Sequence, residues 1–271
     1  MRSEKVTKMV KKGKKPTWVV EKEREKRGLE QQTVWLFGHH AVSDALRNTA
    51  REKLRLILSP NAAIKLAEPV KASGMTPEIQ DPRKFKAPIE PQSVHQGAAL
   101  EVRPLHWGSL SELCAPRGGR PVVLLLDRIT DPHNVGAILR SAEVFGARAV
   151  IAPYRHSAPE TGTLAKTASG ALERQPFLRI QNLAKSMKAL KEMGYFIIGL
   201  DGLAKTTLAE ELTKSTLQPI ALALGAEGPG LRPLTRETCD IVAKIHFSGD
   251  FGSLNVSNAA AVGLYEASRL R

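Results

Sequence analysis

The stretch LALGAEGPGL, residues 222–231, decides how this chain is read. Gly225, Gly228 and Gly230 follow an apolar run fit for a buried strand and precede a segment with helical spacing. Such a loop invites a phosphate, and the two common phosphate loops have defined patterns. A dinucleotide site needs GxGxxG after the first strand of its domain, with an acidic residue about twenty positions on. A triphosphate loop ends in Gly-Lys-Ser/Thr. Here the order is GxxGxG, the loop comes after several strands, and no Lys-Ser/Thr pair follows it. The glycines instead permit a tight backbone path close to something flat or bulky, with Glu227 at the apex.

Outward from this loop the chain alternates. PVVLLLDRI (121–129), ARAVIAP (147–153), GYFIIGLD (194–201), PIALALG (219–225) and IVAKIHF (241–247) are short apolar runs, as strands buried on both faces require. Between them NVGAILRSAEVFG, TLAKTASGALE, NLAKSMKALKEMG and LTRETCD carry helical spacing, and NVSNAAAVGLYEASRLR closes the chain. This succession predicts an α/β fold, a parallel sheet covered by helices. Ligands of such sheets sit beyond the carboxyl ends of the strands, where three polar loops fall: DRITDPHN, GAEGPG and SGDFGSLN. In the first, Asp131 and Pro132 suit a helix entry. Val135, Ile138, Leu139, Ala142 and Phe145 then trace one apolar face that leaves Arg140 opposite. In the third, Ser253 or Asn255 suits the cap of a last helix that is apolar nearly all round and therefore expected to be buried.

Upstream, VWLFGHHAVSDALRN, LRLILS, a Pro-rich charged segment and HQGAALEVRPL form a smaller strand and helix mixture. HWGSLSELCAPRGGRP has no period and reads as a boundary. The expected organisation is a basic tail at 1–32, a small α/β domain at 33–105, a linker at 106–119 and a larger α/β domain at 120–271. No apolar stretch approaches the ~20 residues of a membrane span, and charges stand where a signal peptide would be apolar. A soluble, cytoplasmic protein is expected. Cys114 and Cys239 lie far apart with no CxxC and no His-rich companion, so neither a disulfide framework nor a metal site is signalled.

The net charge of +13 and pI near 9.9 favour polyanionic partners, nucleic acid first. Residues 1–30 hold eleven Lys/Arg against five Glu, net +6, which leaves +7 over the remaining 241. That tail carries too little apolar surface to offset its ordering entropy and is expected to order only on a partner.

Spacing leaves Arg140 an exposed helical arginine and Asn255 a cap. Taken together, DPHNVGAILRSAEVFGA, LALGAEGPGL and GSLNVSNAAAVGLYEASR resemble the three sequence motifs of the SpoU family of ribose 2'-O-methyltransferases, in the same order. FGHHAVSDALRN and VHQGAALEV resemble the N-terminal domain of the family branch that modifies a guanosine of bacterial large-subunit (23S) ribosomal RNA. That domain is a small α/β unit similar to certain ribosomal proteins and serves RNA recognition.

The resemblance implies a Rossmann-like parallel sheet with a C-terminal trefoil knot, a homodimer, S-adenosyl-L-methionine as methyl donor and ribosomal RNA as substrate. Backbone around Leu224, Gly225, Ile245 and Leu254 would hold the donor, so the glycine loop would wrap an adenine and its sugar. Asn134, Arg140, Glu227, Ser253 and Asn255 fall on positions that the family uses for catalysis or substrate placement. The family's proposed proton acceptor corresponds to Arg140. A guanidinium stays protonated in proteins, so clamping an RNA phosphate is the role expected of it. Ile245, His246 and Phe247 depart from the usual Ile-Pro-Met and free the loop beside the donor. Two alternatives stand beside this reading. One is a transfer RNA ribose methyltransferase of the same family; the other is a non-catalytic RNA-binding or ribosome-assembly protein. If the tail acts through phosphates alone, deleting residues 1–30 lowers the slope of RNA affinity against salt. An unchanged slope in a filter-binding titration removes that role.

Overall fold

In the computed structural model, which describes residues 32–90, 92–215, 218–249 and 254–269, the five apolar runs are strands. The basic tail, apart from Gln32, and Ser253 lie outside the described residues. The N-terminal part comprises β1 Val34–Phe37, α1 His39–Arg47, β2 Lys53–Leu58, α2 Pro60–Lys65, α3 Ala67–Ser73, β3 Glu78–Ile79 and β4 Ala98–Val102. Its sheet runs β1-β4-β2-β3, antiparallel except between β2 and β3. The rest continues with α4 Leu110–Cys114, β5 Val122–Asp127, α5 Pro132–Val144, β6 Ala149–Pro153, α6 Gly162–Ala168, β7 Phe177–Ile180 and α7 Leu183–Glu192. It ends with β8 Phe196–Leu200, β9 Thr206–Thr207, α8 Leu208–Lys214, β10 Ile220–Gly225, α9 Pro233–Thr238, β11 Ile241–Lys244 and α10 Val256–Ser268. These strands form one parallel sheet in the order β7-β6-β5-β10-β8-β11-β9.

Alternation along β5 explains why its sequence is apolar throughout. Val122, Leu124 and Leu126 face a core shared with Ile138, Leu139, Leu164 and Leu264, while Val123 and Leu125 face Leu183, Met187, Leu190 and Tyr195. Both faces are thus buried under helices, as a parallel sheet demands.

Several local details depart from expectation. Within the stretch read as a linker, Leu110–Cys114 is a helix with a full capping box between Ser109 and Glu112, and Cys114 is buried. TLAKTASGALE breaks after Ala168, because Ser169 and Gly170 both take left-handed backbone and start a short 3-10 turn, Ala171–Glu173. The last helix is buried along Val256, Ala260, Gly263, Leu264 and Ala267, yet Val262 and Tyr265 stay exposed. Apolar composition overstated its burial within the chain. Among the described residues no helix is long and apolar enough to cross a membrane, and no group of three or more His, Cys, Asp or Glu is placed to hold a metal. Burial pushes the thiols of Cys114 and Cys239 up to about 11, so both stay protonated and inert at neutral pH.

The small sheet is fastened to the large one through α6 and the turn behind it. A Cβ on Gly162 would stand 2.4 Å from the Phe37 ring and from Trp35 O, so the first turn of α6 rests directly on β1. Beside it lies Arg51, whose side chain is fully buried. Its Nε and Nη2 donate to the two oxygens of Glu173 at 3.0 and 2.6 Å, and its Nη1 donates to Glu160 Oε1 at 3.1 Å and Arg103 O at 2.7 Å. Asn48 Nδ2 donates to Glu173 Oε2 at 2.9 Å. Burial pushes the Glu160 carboxyl above its usual range, with the Arg51 charge pulling against it. A bidentate pair so enclosed tolerates replacement of both partners far better than removal of one. Glu173→Ala removes the bidentate partner of the buried Arg51 cation, leaving it only Glu160, and is expected to cost roughly 3–5 kcal/mol in urea unfolding. A loss under about 1 kcal/mol, the level of a surface pair, contradicts this account.

Candidate active site at the strand ends

β5 and β10 lie side by side in parallel register, with Leu126 opposite Leu224 and Asp127 opposite Gly225, so the two strands end level. Beyond β5 the chain turns at Arg128, a non-glycine residue at φ 61°, and enters α5 through Asp131. Asp131 caps the helix by accepting from His133 N at 2.9 Å, and Pro132 occupies the first turn, where no N–H is needed. Asn134 therefore stands in the opening turn of α5, at the rim of the sheet.

Beyond β10 the loop closes on itself. Gly230 N donates to Ala226 O at 2.9 Å, and Gly228 and Gly230 adopt φ of 83° and 67°, open to glycine at little cost. A Cβ on Gly225 would sit 2.1 Å from the carbonyl carbon of Gly230, so the returning chain passes over the bare α-carbon. Glu227 is carried at the tip. The loop is anchored by Asp127, a buried carboxylate that accepts from Arg232 N at 3.0 Å and Arg232 Nε at 2.6 Å.

The third element enters through Asn255. Its Oδ1 caps α10 by accepting from Ser257 N at 2.9 Å and from the Ser257 hydroxyl at 2.5 Å. Its Nδ2 donates to Asn134 Oδ1 at 3.0 Å and to Glu227 Oε1 at 2.7 Å, and Asn134 Nδ2 donates to the same Oε1 at 3.1 Å. Three loops distant in sequence thus meet in a closed triangle of two amides and one carboxylate. Capping and site-building are done by opposite ends of one Asn255 side chain.

The remaining candidates are placed as follows. Leu224, buried, and Gly225, half-buried, end β10. Ile245 follows β11, two strands over, and Leu254, 49% exposed, precedes Asn255. Arg140 is exposed on α5, six residues beyond Asn134. At 3.6 residues per turn that places it roughly 120° round and about 9 Å along the helix. Among the described residues no hydrogen bond ties it to the triangle. Sequence reasoning missed Asp127 and Arg232, although a carboxylate closing the run VVLLL was a signal, since a charge at the end of a doubly buried strand needs a partner. It also missed the contact between His133 Nδ1 and Thr167 Oγ1 at 3.2 Å.

Residues 121–265 match the SpoU rRNA Methylase family. The chain belongs to that family. It is 40% identical to the 23S rRNA (guanosine-2'-O-)-methyltransferase RlmB of Ralstonia nicotianae over 87% of this chain and 95% of that one. It is 38% identical to an uncharacterized tRNA/rRNA methyltransferase of Synechocystis, again over 87% of this chain but only 62% of the relative's length. Among solved structures, the SpoU methyltransferase AviRb of Streptomyces viridochromogenes in complex with the cofactor AdoMet superposes with a TM-score of 0.74 at 25% identity, covering 91% of this chain and 92% of that one. The SpoU fold, a parallel α/β sheet, therefore holds the triangle.

Because backbone meets backbone over Gly225, no rotamer change relieves a larger side chain there. Gly225→Ala is expected to lower stability by roughly 1–3 kcal/mol, the usual cost of overpacking. Denaturant titration checks this, and a neutral substitution would mean that the loop does not close on the strand in solution.

Proposed function

We infer that this SpoU protein transfers a methyl group from S-adenosyl-L-methionine to a ribose 2'-hydroxyl of RNA, with a guanosine of 23S ribosomal RNA as target. The observation that carries this reading is the Asn134–Glu227–Asn255 triangle at the strand ends of a SpoU chain. The RlmB relative, alike over nearly its whole length, supports the choice of RNA.

The residues present suit the donor. A Cβ on Gly228 or Gly230 meets nothing within 4 Å, so open space borders the loop where a flat base could approach backbone. Phe247 and Leu254, in the segment joining β11 to α10, keep exposed apolar surface. Leu224, Gly225, Ile245 and Leu254 would hold the donor, which when bound supplies an electrophilic methyl on a sulfonium. The methyl would pass to the ribose oxygen as the sulfur departs as a neutral thioether, and the hydroxyl proton would pass to water. The protein's tasks are alignment of that hydroxyl and removal of its proton.

Asn134 and Asn255 supply amides held in fixed orientation for the ribose, with Ser253 close before Asn255 in sequence. Glu227 fixes both amides through Oε1. Arg140, exposed and always cationic, clamps an RNA phosphate. The trefoil knot belongs to this reading, as does action in the cytoplasm, where ribosomal RNA is made. So does the homodimer: Val144, Val262 and Tyr265 leave apolar surface exposed on α5 and α10, where Phe145 packs edge-on to Tyr265 at 6.1 Å.

Arg140→Ala is expected to abolish transfer of labelled methyl to ribosomal RNA with an unchanged melting curve, since Arg140 is exposed. Asn134→Ala is expected to slow transfer by about 10²-fold through misalignment. Mass mapping of ribose methyls on 23S RNA, with and without the protein, tests the assignment directly. Near wild-type transfer by Arg140→Ala, or an unaltered methyl map, refutes it.

A further inference from the structure

The loop of residues 80–97 has no part in the triangle, and it is long for a connection in which, among the described residues, the one regular piece is a 3-10 turn, Pro82–Lys84. It is nonetheless held at several points. Lys86 N donates to Gln80 Oε1 at 2.9 Å, His39 N to Gln96 Oε1 at 3.0 Å, and Lys166 Nζ of α6 to Val94 O at 3.0 Å. Within it Phe85 and His95 stack face to face, centroids 4.3 Å apart and planes 17° from parallel, and both rings stay half-exposed. Gly97 N donates to His95 Nδ1 at 3.1 Å, and burial pulls the imidazole below its usual range, so the ring is neutral at pH 7. Lys84 and Lys86 flank Phe85 in sequence and are exposed; Asp81 and Glu90 are the carboxylates of the same loop.

The tether through Lys166 continues toward the triangle. Its neighbour Thr167 meets His133 Nδ1 at 3.2 Å, and His133 immediately precedes Asn134. This approach depends on Gly136, where a Cβ would stand 2.6 Å from Leu164 O; the bare position lets α6 ride against α5. A run of side chains therefore leads from the stacked rings, over Lys166 and His133, to the Asn134–Glu227–Asn255 triangle.

We propose that this run is the track of an unpaired RNA strand: a base flanking the target stacks on the Phe85–His95 pair, Lys84, Lys86 and Lys166 contact its phosphates, and the target ribose lies at the triangle. Half-exposed aromatic rings among cations are what an unpaired strand requires, because every base offers a π-face and every linkage a charge. Lys166 spends one of three N–H donors on Val94 O, which leaves two for a phosphate. The proposal rests on the methyl-transfer reading and adds where the substrate lies.

The test uses the full chain and a protein-free 23S ribosomal RNA transcript carrying 5-bromouridine. Irradiation is expected to cross-link RNA to the peptide containing Phe85 or His95. Phe85→Ala is expected to raise KM for the transcript about tenfold, within the range for loss of one stacked base, with the loss falling in KM rather than kcat. Lys84→Gln is expected to reduce the salt slope of binding by about one. Calorimetry with S-adenosylmethionine confirms that the Phe85→Ala protein remains folded, because its donor affinity stays at the wild-type value. If wild type methylates the transcript while Phe85→Ala keeps wild-type KM and cross-links map only elsewhere, the track is overturned and the enzyme assignment stands. If wild type methylates no RNA, both fall.

Discussion

The buried guanidinium of Arg51 is the constraint on which the remaining geometry hangs. It belongs to the small sheet's part of the chain, and the carboxylates that neutralise it, Glu160 and Glu173, flank α6. Neither side can withdraw without leaving a charge in a dry interior, where the cost is far above that of an exposed pair. Arg174 adds a peripheral clamp, bonding Asp44 on α1 at 2.8 Å and also Glu143 on α5. The effect is to fix α6 as a shared wall. One end of it presses on β1 through Gly162, its middle crosses α5 at Gly136, and its polar side carries Lys166 and Thr167. A substrate spanning the small sheet and the strand ends would meet one rigid surface, and precise placement of a hydroxyl benefits from that rigidity.

Much of the large sheet was legible in the sequence, since strands buried on both faces write themselves as unbroken apolar runs. The elements that were not legible lack this property. β7, FLRI, lies at an edge of the sheet and buries only its first two residues, and β9 is only Thr206–Thr207, too short to leave a period. α4 sits in a stretch whose Gly, Pro and Arg content disguised a capping box one turn long. Arg51 and Glu173 are separated by 122 residues, and nothing in either neighbourhood distinguishes them from surface charges. Pairing of that kind is a property of tertiary packing, which composition and period do not encode.

The site residues split along the same line. Asn134, Glu227 and Asn255 lie in loops that the strand pattern assigned to one edge, so their meeting followed from topology once parallel order was read. Arg140 is different: helical spacing placed it opposite the apolar face, and there it is, exposed and away from the triangle. The apolar surface of α10 was misjudged for an instructive reason. A helix that is apolar all round must be covered, yet the sequence of one chain does not say by what, and here Val262 and Tyr265 are left uncovered by their own fold.

Orientation within the triangle follows from donor and acceptor arithmetic. A carboxylate only accepts, so amides bonded to Glu227 must turn their nitrogens toward it, and Asn134 and Asn255 both do. Asn255 Nδ2 spends its second hydrogen on Asn134 Oδ1, and Asn255 Oδ1 is committed to the cap of α10. No amide in the set can flip without breaking bonds in two loops at once. The capping requirement of a terminal helix therefore propagates, through a single asparagine, into the direction in which Asn134 presents its groups at the strand ends. That coupling explains how three glycine-rich or polar loops, distant in sequence, can hold side chains in the fixed geometry that an in-line transfer requires.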